Sequence, residues 1–454
     1  MTGEVPAVAV APAASDASAG AQPWPSRRAA YYALFVIILA TMLNFFDGQA
    51  FTMMAQRIKA AFQLTDEQLG FLIGPANVIF YVLIGIPMAR LVDTYSRKIV
   101  LACGVAAIGS ITALGGLAQS FGQIFSSRML VGAGGSAHAP GAYSMLADLF
   151  PPAKLPRAIG FLQLGFIGGN ALGIFLGGLL ISAAASWPVS HWQGLTIHGW
   201  QWILMMVGAP GLVISGLLLL AIEPKRRGAS GHGALPVMDV LREIRARRAI
   251  YGPLFIGLAF SATQAIGVQA WRTPFMIRTY GWNEAQIGRW MGLMFLVSSL
   301  LGAVFGTLFV EWLSKRYKDA NVRASTILFA IAAPFEIIAP LMPSGGLALL
   351  CLGVAGMCGL ASAVPQNAAI QRITPNAMRG QVTAIYLFMF IVFGALGSQL
   401  IGSVTQRVFR SDADLWKSIV LTASILMPLA ALAISRGIKP YGREVERLEG
   451  EAAA

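Results

Sequence analysis

The sequence predicts an all-α membrane protein of twelve transmembrane helices, arranged as two pseudo-symmetric six-helix halves. Three observations predict it. Hydrophobic residues make up 56% of the chain and charged ones 12%, with a mean hydropathy of +0.67, far from the average of a soluble domain. A spanning helix needs about 20 mostly apolar residues, and six such segments lie on each side of a polar connection at 223–249. One stretch is also written twice. Thr65-Asp66-Glu67-Gln68-Leu69-Gly70, an apolar run, Asp93 and the basic pair Arg97/Lys98 recur 218 positions later as Asn283-Glu284-Ala285-Gln286-Ile287-Gly288, an apolar run, Glu311 and Lys315/Arg316. A spacing kept without slippage across a whole apolar helix marks an internal repeat.

Residues 1–28, rich in Ala, Pro and Ser and without a basic n-region, read as a disordered cytoplasmic tail rather than a cleaved signal. The first half, 29–222, holds spans at 31–53, 70–91, 99–119, 122–149, 158–182 and 200–221. In the second half, 250–436, they fall at 250–276, 286–310, 323–342, 347–371, 378–406 and 416–436. The linker between the halves, 223–249, contains Val237, Leu241, Ile244 and Arg248 at helical spacing with Arg242 and Arg245 beside them, as in an amphipathic helix on an anionic inner leaflet. Residues 437–454 close the chain as a second cytoplasmic tail. With both ends inside, 24 of the 33 Lys and Arg fall on inner connections and tails and 8 on outer ones. That asymmetry places both termini in the cytoplasm of a multi-pass plasma (inner) membrane protein, and it assigns the net charge of +13 to the bilayer rather than to nucleic acid.

Polar residues inside the spans are the candidates for function. Span one carries Thr41, Asn44 and Asp47 along one stripe. An ionised carboxylate near the bilayer centre costs about 2.5–3.5 kcal/mol on insertion scales, so Asp47 must face water or a partner, and Arg128 of span four lies at similar depth. Asn77 and Tyr81 form an i, i+4 pair in span two. Arg128, Gly132, Gly135 and His138 share a face of span four. His138 reads two ways: a group titrating near physiological pH, or a neutral histidine bonded in the core. Gln264 and Trp271 share a face of span seven, and Gln366 and Asn367 follow Pro365 in span ten. The amides suit a polar headgroup, and equally suit plain interhelical hydrogen bonds. Gly165, Gly169, Gly173 and Gly177 point to close helix packing, and Glu336 reads as an acid snorkelling from the outer end of span nine.

Cys103, Cys351 and Cys358 sit in apolar spans without pair spacing, and His138, His191, His198 and His232 show no ligand pattern, so no metal or cofactor is expected. An enzyme acting on lipid would need a nucleophile with its base, a metal cluster or a carboxylate pair, and no span supplies one. The expectation is not an enzyme.

Two six-helix halves, each with an acid and a basic pair after its second helix, resemble the major facilitator superfamily over roughly residues 31–436. Ala89, Thr94, Thr307 and Trp312 depart from that family's loop motif, while its spacing survives in both copies. Leu43-Asn44-Phe45-Phe46-Asp47, the turn Leu64-Thr65-Asp66-Glu67-Gln68-Leu69-Gly70, Arg128 with Val131-Gly132-Ala133-Gly134, Ala147-Asp148-Leu149-Phe150-Pro151, and Pro274-Phe275 before Arg278 are similar to the spinster-like branch. The resemblance implies a secondary active transporter moving a small amphiphilic or organic-anion solute by alternating access, with spans one, four, seven and ten lining the path. Asn44, Asn77, Tyr81, Gln264, Trp271, Gln366 and Asn367 are then the candidate solute contacts. Asp93 with Arg97 and Glu311 with Lys315 are the candidate latches of an outward-open state. The branch commonly has arginine and glutamate where this chain has Gly48 and Gly135, which leaves Asp47 and His138, beside Arg128, as interior groups for proton coupling. A transport-incompetent sensor on the same fold and an uncoupled facilitator are the alternatives. The expected partners are the solute and the bilayer, with the chain a monomer.

Overall fold

The computed structural model describes residues 24–192, 194–226, 237–375 and 378–453; most of the expected N-terminal tail and part of the linker lie outside these. Helix α1 (Arg27–Met53) starts at Ser26, whose hydroxyl accepts the Ala29 N–H, and short α2 (Ala55–Phe62) follows it. The second crossing is α3 (Asp66–Ile73) and α4 (Pro75–Thr94), jointed where Pro75 lacks an N–H to give back. Thr65 and Gln68 close a capping box at its start: the Thr65 hydroxyl accepts the Gln68 N–H at 3.2 Å, and Gln68 Oε1 accepts the Thr65 N–H at 3.0 Å. Helix α5 (Arg97–Gly115) is the third crossing, and the fourth is divided into α6 (Phe121–Gly135) and α7 (His138–Leu149). Pro140 cannot donate to the Ser136 carbonyl, which opens a seam at Ser136–Ala137. For that reason eleven uninterrupted helices, not twelve, are long and apolar enough to cross a membrane among the described residues.

Helices α8 (Leu155–Ala184) and α9 (Gly199–Leu220) complete the first half, joined by a hairpin of β1 (Ser190–Trp192) and β2 (Leu195–Ile197), the one departure from helix. Gly169 and Gly173 have no room for a Cβ against the backbone of Met42 and Phe46, so the glycine line of α8 lets it lie directly on α1. Helix α10 (Val237–Ala246) precedes α11 (Arg248–Tyr280), α12 (Glu284–Ser314), α13 (Ala320–Ile338), α14 (Gly345–Ile373), α15 (Arg379–Val404) and α16 (Leu415–Ser435). The second tail is largely a helix, α17 (Ile438–Ala453), docked by buried Tyr441 and Val445, with Glu444 bonded to Arg247 at 2.8 Å.

The start of α1 and the end of α16 reach the same face of the helix bundle, here the termini face. Its apolar core is not continuous. One cluster fills the far face and draws on both halves, from Met53 and Leu69 to Trp271, Ile287 and Ile401. The other clusters among the described residues, two large and two small, each draw on one side alone: first-half residues, or second-half residues with Val240 of the linker and Tyr441 and Val445 of α17. The halves are therefore joined on the far face and apart on the other.

Candidate functional site

Ionic contacts reinforce the far-face closure. Asp66 is fully buried and accepts two bonds from Arg278, at 2.6 and 2.8 Å, and one from Lys59 at 2.7 Å; Lys59 also reaches Asp412. Arg57 donates to Glu284 at 2.7 Å, and Arg407 to Glu67 at 2.5 and 3.0 Å. Asp66 and Glu284 occupy the same position of the repeat, and each finds its arginine in the opposite half. Bidentate, charge-assisted bonds of this kind are the strong ones. The sequence displays both acids inside the repeated stretch, but as first-turn residues they read only as good helix starters.

Inside the first half, Asp47 and Arg128 meet, both 3% exposed. Arg128 Nη1 donates to Asp47 Oδ2 at 3.1 Å, Thr112 donates to Asp47 Oδ1 at 2.8 Å, and Arg128 Nη2 donates to Thr112 at 3.2 Å. The guanidinium also lies 4.3 Å from the Phe51 ring centroid. A buried charge needs this degree of satisfaction to be tolerated. His138 Nε2 is 2.7 Å from the Thr41 hydroxyl, which donates its own proton to the Ile37 carbonyl at 2.8 Å. The histidine is then assigned as the Nε2–H donor, with Nδ1 left without a protein partner.

Asn44 and Tyr81 are half-buried beside Gly135, where a Cβ would lie 3.5 Å from Asn44 Oδ1 and 4.0 Å from the Tyr81 ring; Gly48 has no such neighbour within 4 Å. Asn77 is exposed, its carbonyl against Gly132, a position with no room for a side chain.

In the second half the expected contacts disperse. Trp271 is 0% exposed and gives its indole N–H to the Ser398 carbonyl at 2.8 Å, so it joins α11 to α15 instead of lining a path. Gln366 is also buried. It donates to the Ser362 carbonyl and hydroxyl at 3.1 and 3.0 Å and accepts from Tyr386 at 3.0 Å. Asn367 is half-buried and donates to the Ala363 carbonyl at 2.9 Å. Gln264 is buried beside Glu336 of α13, whose carboxyl also feels the charge of Arg272 of α11. Glu336 does not snorkel. It shares the buried face of α13 with Phe329, Ala332 and Ala333, at i−7, i−4 and i−3, and points to α11. An apolar cavity of about 300 Å³ between α1, α8 and α9, lined by Leu39, Met42 and Phe46, touches none of these polar groups.

The sequence matches the Major Facilitator Superfamily over residues 37–398. The chain belongs to that superfamily. Protein spinster of Drosophila melanogaster is 22% identical, over 84% of this chain and 63% of that protein. An MFS-type efflux pump of Mycolicibacterium smegmatis is 25% identical, over 92% of this chain and 95% of the pump. A sphingosine-1-phosphate transporter of Danio rerio is 22% identical, over 86% and 80% of the two chains. Among solved structures, a bacterial homolog of the human lysosomal transporter Spinster, inward-facing and unoccupied, superposes with a TM-score of 0.76 at 23% identity, covering 93% of this chain and 98% of that one.

The superfamily's loop residues divide sharply at the termini face. Arg97 is buried and donates to Asp148, to the Ser144 carbonyl at 3.2 Å and to the Pro224 carbonyl at 2.6 Å. Glu223 lies 3.6 Å from Arg97 Nε and receives the Arg97 backbone N–H at 2.7 Å and the Ser96 hydroxyl. Burial alone pushes the Glu223 carboxyl up, but the bonds from Ser96, Arg97 and Lys98 with the Arg97 charge outweigh it and hold it below the usual range. Asp93 is exposed and makes no ion pair within 4.0 Å among the described residues. Glu311 and Lys315 are exposed and 4.0 Å apart. The structure thus brings Arg97 together with Asp148 of its own half and Glu223 at the start of the linker, and among the described residues does not bring Asp93 or Glu311 to any other helix.

Proposed function

We propose that this chain is a secondary transporter that moves a small amphiphilic or organic-anion solute by alternating access, with both termini cytoplasmic and the cytoplasmic side open in this conformation. The observation that carries the reading is the asymmetry of the interface. The halves share one apolar core and three sets of ion pairs on the far face, and separate cores on the other. A rocking movement about such an interface exposes the path to each side in turn. Asn44, Asn77, Tyr81 and Asn367 supply uncharged donors and acceptors to a polar headgroup, and Asp93, Arg97, Glu311 and Lys315 serve as the latch of the opposite state. The amphiphile class is supported by the named substrate of the Danio rerio relative, and export by the efflux pump. Location in the plasma membrane rests on the 24-to-8 distribution of basic residues.

Flux decides it. Purified protein in proteoliposomes is offered labelled lysolipids and, separately, aromatic and aliphatic carboxylates, with and without a pH gradient. Gradient-driven accumulation of one class supports a coupled carrier, and equilibration alone an uncoupled facilitator. Binding without flux would make the chain a sensor. Orientation is read by cysteines placed at Ser314 and Ser190 in a background lacking Cys103, Cys351 and Cys358; labelling of Ser314→Cys from outside intact cells reverses it.

A further inference from the structure

The second half contains a polar cluster that no part of the transport reading uses. Gln264 of α11 is 1% exposed and Glu336 of α13 is 7% exposed. Among the described residues, neither end of the Gln264 amide, nor Glu336 Oε2, nor Arg272 Nε meets hydrogen-bond geometry with a partner, although the Gln264 amide lies close enough to Glu336 to act on its carboxyl. Arg272 is half-buried and is the charged group nearest in effect to Glu336, yet no ion pair within 4.0 Å joins them. Its Nη2 lies beside Gly356 of α14, which has no side chain to fix it.

Among the described residues, the other elements packed on α13 bring no second cation to Glu336. Helix α14 contributes the thiols Cys351 and Cys358, and its charge, Arg372, sits at the termini end. Lys417 of α16 is engaged by Asp414 at 2.9 Å and lies over the Trp416 ring. The charges of α12 are at its ends, with Glu284 already paired to Arg57, Arg289 in the second turn, and Glu311 at the termini face. A carboxylate this deep without a touching cation is the arrangement that burial disfavours, and the neutral acid is the form such a site accepts.

We propose that Glu336 is a proton-binding carboxyl of the second half: it holds a proton in this conformation, donating its O–H to Gln264 Oε1, and releases it when Arg272 moves into ion-pair contact. One proton is bound from solvent, and one is returned to solvent when the guanidinium compensates the carboxylate. The assignment deepens the transport reading, but its test needs no solute.

Infrared difference spectra of the full-length protein in lipid nanodiscs, titrated with pH and repeated in D2O, report the C=O stretch of a protonated carboxylic acid. The parent is expected to show that band. It should vanish in Glu336→Gln and persist in Asp47→Asn, whose carboxylate is ion-paired. Gln264→Leu should move the band to higher frequency by removing its acceptor, which keeps the assignment testable if Glu336→Gln does not fold. A parent without the band, a band that survives Glu336→Gln, or one that Gln264→Leu leaves in place overturns the proposal. Failure here would leave the flux experiments untouched, and failure of flux would leave a band intact.

Discussion

The two halves descend from one pattern, yet they treat their buried charges differently. In the first half the buried charges are paired, Asp47 with Arg128 and Thr112 and Arg97 with Asp148 and Ser144 with Glu223 alongside, although Nε of Arg97 and of Arg128 lacks a hydrogen bond among the described residues. In the second half Arg272 stands off from Glu336, and Lys315, at the repeat position of Arg97, is exposed with a single weak contact to Glu311. Closed networks resist change and specify one geometry, whereas an open one tolerates a proton or a shifted side chain at small cost. The comparison assigns the stiff framework to the first half and the adjustable chemistry to the second.

The sharpest way to break that contrast is to remove the arginine from each cluster. Arg128→Met strands the Asp47 carboxylate and should destabilise the protein by about 3–5 kcal/mol, the cost of splitting a buried pair. Arg272→Met breaks no ion pair and should cost well under half as much. Thermal unfolding in detergent measures both, and equal losses would dissolve the distinction. Adding Asp47→Asn to Arg128→Met should recover most of the loss, since the orphaned charge goes with it.

Next in size is the far-face lock, which belongs to both halves. Asp66→Asn removes the bidentate Arg278 contact and weakens that of Lys59, and at about 1.5–3 kcal/mol per charged bond it should shift the population at least tenfold toward far-face opening. Distances between spin labels on the far-face ends of α3 and α11 would record the shift. An unchanged distribution would show that the shared apolar core alone keeps this side shut.

Smaller still is the pH response of the termini-face network. The Glu223 carboxyl is held below its usual value of 4.5, so the stability it adds is present above that value and is lost as pH falls through the lowered one. Because Glu223 is partly solvated, the contribution should not exceed about 1 kcal/mol. Glu223→Gln should lower the melting temperature at pH 7, by an amount that shrinks as pH falls through the lowered value; a loss that acid does not diminish would assign its role to shape. The least effect is expected at Lys315→Gln, within about 0.5 kcal/mol, as for other exposed pairs. A larger loss there would mean that the second half holds its loop after all.

Much of the fold is legible in the sequence, because the code for it is periodic. The apolar spans and the 218-residue repeat specify the crossings, and depth counted at 1.5 Å per residue places Asp47 opposite Arg128, which the structure joins at 3.1 Å. What escaped is what periodicity does not carry. Asp66 and Arg278 are 212 positions apart and meet only because the far face is closed in this conformation. Trp271 shares a helical face with polar residues, but that face turns toward α15. The buried side of α13 was readable from Phe329, Ala332 and Ala333, and it would have turned Glu336 inward. The C-terminal helix α17 owes its order to docking through Tyr441 and Glu444, a contact no local signal announces.

At one point of the contact between the halves, flanked by the packed side chains of Ile174 and Met291, backbone meets backbone. Where α8 crosses α12, a Cβ on Gly178 would lie 2.6 Å from the Gly288 Cα, and one on Gly288 would lie 2.9 Å from the Gly178 Cα, so the two backbones touch. Interdigitated side chains would have to disengage tooth by tooth before one helix could roll over the other, whereas two bare backbones turn with little to unmesh. Such a crossing acts as a bearing: a few degrees of roll there become ångströms of travel at the distant helix ends. A methyl group at either glycine would seize it, with every ion pair of the far face still in place.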